Sequence, residues 1–241
     1  MPAERYYYPD SLETGQTIQL KDQEHHHLVN VMRTHLSDEI EIVNGKGQLA
    51  KAVLKSLEKK RAVLVVKSVQ TAPDATWKII LAQGMPKQNK LEIIVEKGTE
   101  LGMTELWLFA AARSEKKELS ENQQDRLKTL AIAAMKQCGC LFLPKIVMIP
   151  PLKQWKNIEI GPLFFGDTTP DAPSLSSILN TLGPIKEAVF FVGPESGFSD
   201  EEINILHKLH AQGVKLHPNI LRTETAAIAA LTLLSQHLCY L

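Results

Sequence analysis

The stretch ILRTETAAIAALTLL, residues 220–234, spends its polarity in a single turn. Arg222, Thr223, Glu224 and Thr225 come first, and nearly everything after them is apolar. Thr223 is expected as the N-cap of a helix, with Glu224 and Thr225 complementing the positive end of its dipole. That account leaves out Arg222, whose charge is poorly placed beside a helix N-terminus unless something anionic lies near. Ala227, Leu231, Leu234 and Leu238 recur at helical spacing, and Ile228 and Leu233 widen the face beyond an ordinary stripe. Such a helix is expected to be buried on most sides, by its own domain and by a partner subunit.

Upstream, FFVGPESGFSDEE (190–202) is a second junction of strand and helix. A buried strand enters Gly193-Pro194-Glu195-Ser196-Gly197, and a helix leaves it with Ser199 and Glu202 spaced as a capping box and Gly213 as its stop. Small residues let the backbone approach a ligand closely, and free N–H groups at a helix start hold polar ones. Alone, such a turn is most often only a tight turn.

The same alternation runs back to residue 77. WKIILAQ (77–83) reads as a buried strand, ELWLFAA (105–111) as another strand, and KIVMI (145–149), PLFFG (162–166) and AVFFVG (188–193) as short apolar strands. Between them lie helical patterns: LEIIVEKGTEL closed by Gly102, a segment opened by Ser120 and Gln123 and ended near Gly139, and PSLSSILNTLG. A mostly parallel sheet with helices on both faces follows. The first 70 residues read mainly as strand. In DEIEIVNGKGQLAKAVL, Asn44-Gly45 marks a hairpin, RAVLVVKSVQ continues the sheet, and HHHLVNVMR is a short helix. TAPDAT (71–76) has the composition of a linker, so the domains are expected at 1–72 and 73–241.

Composition narrows the class. The chain is 241 residues long, 44% hydrophobic and of zero net charge. No apolar run approaches the roughly 18 residues of a spanning helix, and we expect no secretion signal. Three cysteines form no disulfide framework, which favours a reducing cytoplasm. The charge is uneven: residues 71–153 carry 12 basic against 9 acidic side chains, and residues 154–241 carry 5 against 9. A basic middle segment permits an RNA-binding face. The histidines at 25–27 and Cys138-Gly139-Cys140 lack the further ligands of a metal site, so no metal is expected. Ser196 lies in no strand–Ser–helix elbow, which argues against serine hydrolase chemistry.

RYYYP (5–9), HHLVNVMR (26–33), VNGKGQ (43–48), LAQGMPKQNKLEIIVEKGTELG (81–102), RSE (113–115), AAMKQCG (133–139), VGPESGFSDEE (192–202) and ILRTETA (220–226) stand in one order over nearly the whole chain. Together they resemble the ribosomal RNA uridine-N3 methyltransferase family, a branch of the trefoil-knotted SPOUT methyltransferases. The resemblance implies an α/β chain with an N-terminal PUA-like β-barrel that docks RNA and a SPOUT domain ending in a knot. It implies a homodimer, S-adenosyl-L-methionine as cofactor, and 3-methyluridine in small-subunit ribosomal RNA, free or assembled, as product. Backbone around Phe165, Gly166 and Asp167, Val192, Gly193, Pro194, Glu195 and Gly197, and Leu216, Ile220, Leu221, Arg222 and Thr223 is implied to wrap the cofactor. Arg222 is implied nearest the target base, where a guanidinium suits the negative carbonyl oxygens of a deprotonated uracil. Glu195 or Glu224 is the candidate general base. Arg5, Arg33, Lys87, Lys90, Lys97 and Arg113 are the candidate RNA contacts.

This sequence departs from the family pattern at several positions. Lys136-Gln137-Cys138-Gly139-Cys140 stands where Glu-Gln-Ser-x-Arg is usual, Ser196 replaces the first of two glycines, and His217 and Asn219 replace glycine and arginine. Ser196 is read as holding a positive φ under strain. The missing acid and arginine leave a second reading, an RNA-binding or ribosome-assembly protein without catalysis. A third is a knotted ribose 2′-O-methyltransferase.

Overall fold

The structure, a computed structural model, describes residues 5–32 and 34–239. The chain folds as two compact units, Met1–Asp74 with Ile132–Leu143, and Ala75–Ala131 with Pro144–Leu241.

In the first unit the alternating runs become β1 (Arg5–Tyr7), β2 (Thr17–Lys21), β3 (Glu39–Val43), β4 (Gln48–Leu57) and β5 (Arg61–Thr71). They lie in the order β1-β3-β4-β5-β2, with β1 parallel to β3 and the other neighbours antiparallel. Among the described residues no pairing joins β1 to β2, so the sheet is a half-barrel rather than the closed barrel the resemblance implies. Two register shifts between β4 and β5, at Lys51/Ala52 and Leu54/Ser56, bend the longest hairpin, as bulges do. The inward residues Ile18, Leu20, Ile42, Ala52, Leu54 and Leu64 form one core with Tyr6. Helix α1 (Asp22–His26) and a π turn at His27–Val31 cover it through Leu28. The β3–β4 connection has four residues rather than two. Asn44 Oδ1 accepts from the N–H groups of Lys46 at 2.8 Å and Gln48 at 3.1 Å, which closes a wider loop.

The second sheet is wholly parallel. It contains β6 (Lys78–Gly84), β7 (Glu105–Phe109), β8 (Lys145–Ile149), β9 (Leu163–Gly166), β10 (Glu187–Val192) and β11 (Gln212–Val214), in the order β11-β9-β10-β6-β7-β8. The helices between and after these strands are α2 (Gln88–Glu100), α3 (Glu121–Cys138), α4 (Leu175–Thr181), α5 (Asp200–Lys208) and α6 (Thr223–Cys239). The central β6 and β10 are buried on both faces and need continuous apolar runs, whereas β8 at the sheet edge leaves Val147 and Met148 exposed. Ile80, Ala82, Phe109, Phe165, Val189 and Phe191 pack on one face with Leu206 of α5 and Leu152 of a short 3-10 turn. The intervening Ile79, Leu81, Phe164 and Phe190 are equally buried, and α6 packs against β6 and β10 with α2 alongside.

Two helix ends differ from expectation. The Ser199–Glu202 capping box forms, but Gly213 does not stop α5; it lies within β11. The turn is made by His210, at φ +60°, with the Ala211 N–H donating to the Leu206 carbonyl at 2.9 Å. That is a left-handed C-terminal cap filled by a residue other than glycine. At the start of α3 half of the expected box is present: Gln123 Oε1 accepts from the Ser120 N–H and from its hydroxyl, so that hydroxyl donates instead of capping.

His210 is exposed and gains nothing from packing that offsets its backbone conformation. We expect His210→Gly to stabilise the protein by about 0.5–1 kcal/mol, net of glycine's greater freedom when unfolded. Calorimetry should show a melting temperature higher by ~1–4 °C; an unchanged or lower value contradicts the strain assignment.

Candidate active site

The carboxyl ends of β9, β10 and β6 lie side by side, the place where open parallel sheets bind ligands. Phe165 and Gly166 end β9 with Asp167 next, and Val192 ends β10 with Gly193 next. Leu216 follows β11, and the chain from 216 to 222 has no regular structure before α6 begins. Three of the segments read from the sequence therefore meet at neighbouring strand ends. Phe165, Val192 and Pro194 are buried, while Ile220 is 84% exposed. Gly84 and Gly193 are packed tightly. A Cβ on Gly84 would lie 2.8 Å from Pro194 Cδ, and one on Gly193 would lie 3.0 Å from the Phe198 nitrogen.

Thr223 is not the N-cap of α6. It is the first helical residue, and its hydroxyl donates to the Gly193 carbonyl at 2.7 Å. The same oxygen accepts from Gln83 Nε2 at 3.0 Å. Gln83, fully buried at the end of β6, also donates to the Gly84 carbonyl at 2.9 Å and the Gly193 carbonyl at 3.1 Å. This residue was missed in the sequence. Its signal is a lone amide closing the apolar strand WKIILAQ, since a buried amide requires partners.

Glu224 is buried and paired with Lys90 of α2. Burial alone pushes its carboxyl up, but the Lys90 hydrogen bond, its own backbone N–H and the charges of Lys90 and Arg222 hold it below the usual carboxylate range. It is thus ionised and a weak base. Glu195 is exposed, with Oε1 accepting from the Lys87 N–H at the start of α2 at 2.9 Å. Arg222 is exposed beside them.

The candidate RNA cations are distributed unevenly. Lys87 pairs with Glu115 at 3.1 Å on the surface, and Arg113 donates to the Ser196 carbonyl at 3.1 Å, so both flank the 193–197 loop. Lys90 is committed to Glu224. Lys97 lies in the last turn of α2 between Glu96 and Glu100, which raise its pKa. In the first unit Arg5 is paired with Glu41 at 2.9 Å and little exposed, and Arg33 falls outside the described residues. Lys136, in place of the usual acid, pairs with Glu24 at 2.7 Å. Ser196 has no positive φ; Gly197 does, at +69°, so the strain expected at Ser196 is absent. The loop needs its left-handed residue one position later, where glycine is present.

Among the described residues no group of three or more His, Cys, Asp or Glu side chains is arranged to hold a metal, and no helix is long and apolar enough to cross a membrane. A cleft of about 650 Å³ lined by Trp107, Ile149, Trp155, Ile158 and Ile160 takes none of the residues at the ends of β9, β10 and β6.

Residues 73–235 match the model of an RNA methyltransferase domain, and residues 20–67 that of an RNA methyltransferase PUA domain. The ribosomal RNA small subunit methyltransferase E of Bacillus subtilis is 30% identical over 93% of this chain and 91% of its own. The chain belongs to the ribosomal RNA small subunit methyltransferase E family. The protein of that name from Neisseria gonorrhoeae, solved bound to S-adenosyl methionine, superposes with a TM-score of 0.83 at 27% identity, covering 98% of each chain. A methyltransferase from Legionella pneumophila, solved with its cofactor SAM, gives 0.88 at 25% identity, again over 98% of each. In this chain of the methyltransferase E family, Lys136, Cys138, Cys140 and Ser196 take no part in the hydrogen bonds that join Gln83, Gly193 and Thr223.

Two outcomes follow from this geometry. Lys90→Met leaves the Glu224 carboxylate buried without its cation, a loss of about 3 kcal/mol at pH 7. Because the folded pKa of Glu224 is depressed, wild type keeps this stabilisation above the unfolded value and loses it as pH falls through the folded one. The deficit of Lys90→Met, read from denaturant midpoints, should shrink as pH falls, starting where the variant's carboxyl, raised by burial without the lysine, takes its proton and ending below the folded wild-type value. Ser196→Gly relieves no strain and adds unfolded-state freedom, so its melting temperature should not rise.

Proposed function

We propose that this protein transfers the methyl group of S-adenosyl-L-methionine to N3 of a uridine in small-subunit ribosomal RNA. The observation that carries this reading is the meeting of the 165–167, 193–197 and 216–223 segments at adjacent strand ends, with Arg222 exposed at their mouth. The relatives from Bacillus and Neisseria, ribosomal RNA small subunit methyltransferases, support the substrate, and the SAM-bound neighbours support the cofactor.

The residues present suit such a cofactor. The N–H groups of Glu195, Ser196, Leu216, Ile220, Leu221 and Arg222 make no hydrogen bond among the described residues, and the packing at Gly84 and Gly193 keeps the backbone bare of side chains. The cofactor supplies an electrophilic methyl on a sulfonium. Uracil N3 is a poor nucleophile until it loses its proton, after which charge spreads to the flanking carbonyl oxygens. The Arg222 guanidinium binds those oxygens through its fixed fork of donors. Glu195, exposed and with one oxygen unengaged, takes the proton. Glu224 orients Lys90 and the first turn of α6 rather than serving as base.

The remaining features extend the same proposal. The chain is proposed to be knotted at its C-terminus, since α6 packs centrally on β6 and β10 although the preceding β11 is at the sheet edge. A homodimer is supported by α6, whose Ile228 and Leu233 stay half-buried outside the face formed by Ala227, Leu231, Leu234 and Leu238. The domains are proposed as an N-terminal RNA-docking unit and a catalytic unit, in the cytoplasm.

Deletion of the gene should remove one 3-methyluridine from small-subunit ribosomal RNA, measured by nucleoside mass mapping; an unchanged level refutes the proposal. Arg222→Lys keeps the charge without the fork, and the methylation rate should fall more than tenfold, about 1.4 kcal/mol or more. RNA affinity should decline with salt, though with a shallow slope, because Lys90 and Lys97 are held in ion pairs.

A further inference from the structure

We infer that Gln83 is a positioning residue for methyl transfer: its amide locks the head of α6 to the carboxyl end of β10 and so fixes where Arg222 stands. The inference rests on the proposed function of the same site. Gln83 Nε2 faces four oxygens, the carbonyls of Gly84 (2.9 Å), Gly193 (3.1 Å) and Val192 (3.4 Å) and the hydroxyl of Thr223 (3.0 Å). The Thr223 hydroxyl spends its one hydrogen on the Gly193 carbonyl, so toward Gln83 it is an acceptor. An amide turned the other way would set its oxygen against three carbonyl oxygens, so the orientation is fixed.

Three chain segments are thereby joined through one buried nitrogen, across 109, 110 and 140 residues of sequence. Two of them, β6 and β10, are neighbouring strands held by their own ladder. The third is α6, and the Gln83–Thr223–Gly193 unit is what joins its first residue to the strand ends. Arg222 precedes Thr223 directly and is exposed. The other polar atom of the amide, Oε1, is buried and makes no hydrogen bond among the described residues. A glutamine with an unsatisfied buried acceptor is a poor choice for stability after the buried aliphatic run Ile79–Ala82. Its donor, by contrast, sets the register of the catalytic head, and a displacement of the order of an ångström at a reacting group costs roughly a hundredfold in rate.

The test uses the full chain, S-adenosylmethionine and small-subunit RNA, at a temperature well below melting. Gln83→Met keeps length and removes the donors; Thr223→Val removes the hydroxyl and Thr223→Ser keeps it. We expect Gln83→Met and Thr223→Val each to lower kcat at least tenfold with the RNA KM within threefold, and Thr223→Ser to stay within threefold of wild type. The double variant should be no worse than about threefold below the poorer single one, because both remove the same unit. Amide exchange in residues 222–226 should speed up at least tenfold in Gln83→Met, while α5 stays unchanged. A folded Gln83→Met with a rate within twofold of wild type overturns the inference, as does a double variant whose loss is the product of the single losses. If Gln83→Met does not fold, Thr223→Val against Thr223→Ser decides by the same readouts. A wild-type protein that methylates no RNA refutes the proposed function instead, and the exchange measurement still decides whether Gln83 holds the head of α6.

Discussion

Everything at the carboxyl end of the second sheet depends on the hydrogen bond from the Thr223 hydroxyl to the Gly193 carbonyl. At 2.7 Å it joins the first residue of the last helix to the loop leaving the central strand. The partners are 30 residues apart, and α5, β11 and an irregular crossing lie between them. Because the crossing segment has few backbone bonds of its own, its ends must be held from outside. Gly193 holds one end, and the packing of α6 on β6 and β10 extends the grip along the helix. A loose stretch of chain with unpaired N–H groups thus becomes a fixed wall.

The electrostatics of the same region follow from burial. Lys90 and Glu224 join the first turns of α2 and α6, and a buried pair of this kind gives more geometry than net stability. Each helix presents its positive end there, so an acid at the start of α6 is favoured twice, by dipole and by lysine. Glu195 serves α2 in the same way, accepting from the Lys87 N–H. Both acids singled out from the sequence as bases are therefore helix-end partners first. Of the two, only Glu195 is exposed.

Much of the fold was legible because the signals were local. Continuous apolar runs marked the parallel strands, and Ser199 with Glu202 marked the start of α5. The errors arose where a local signal met a nonlocal demand. Thr223 has the residue type of a cap, yet its hydroxyl was recruited by a strand end 30 residues back. Gly213 resembled a helix stop, but the stop fell on His210 and the glycine fits beside Phe165 and Asp167, where a Cβ would lie 2.7 Å from Asp167 Oδ2. Lys136 looked like the loss of an acid, and Glu24, 112 residues away, supplies its counter-charge. Gln83 stood inside the LAQGMPKQNK stretch without being read as a functional residue. Its meaning lies in four oxygens that no sequence spacing brings together.

The polar head of α6 now has a physical reason. Successive residues on a helix turn by about 100°, so three in a row cannot serve one neighbour. Thr223 binds the loop after β10, and Glu224 binds Lys90 on α2. Arg222, not yet in the helix, remains in solvent with its carbonyl already accepting from the Ala226 N–H at 2.8 Å. That bond makes Arg222 the true N-cap, although arginine has no side-chain oxygen to cap with. A cation left uncapped at the positive end of a helix is unfavourable for folding alone. The Glu224 carboxylate, whose pKa the Arg222 charge helps to lower, offsets part of that, and in the proposed reaction a deprotonated uracil supplies a second anion. What the fold leaves unused at Arg222 is its exposed guanidinium, and the proposed reaction is what gives that group a use.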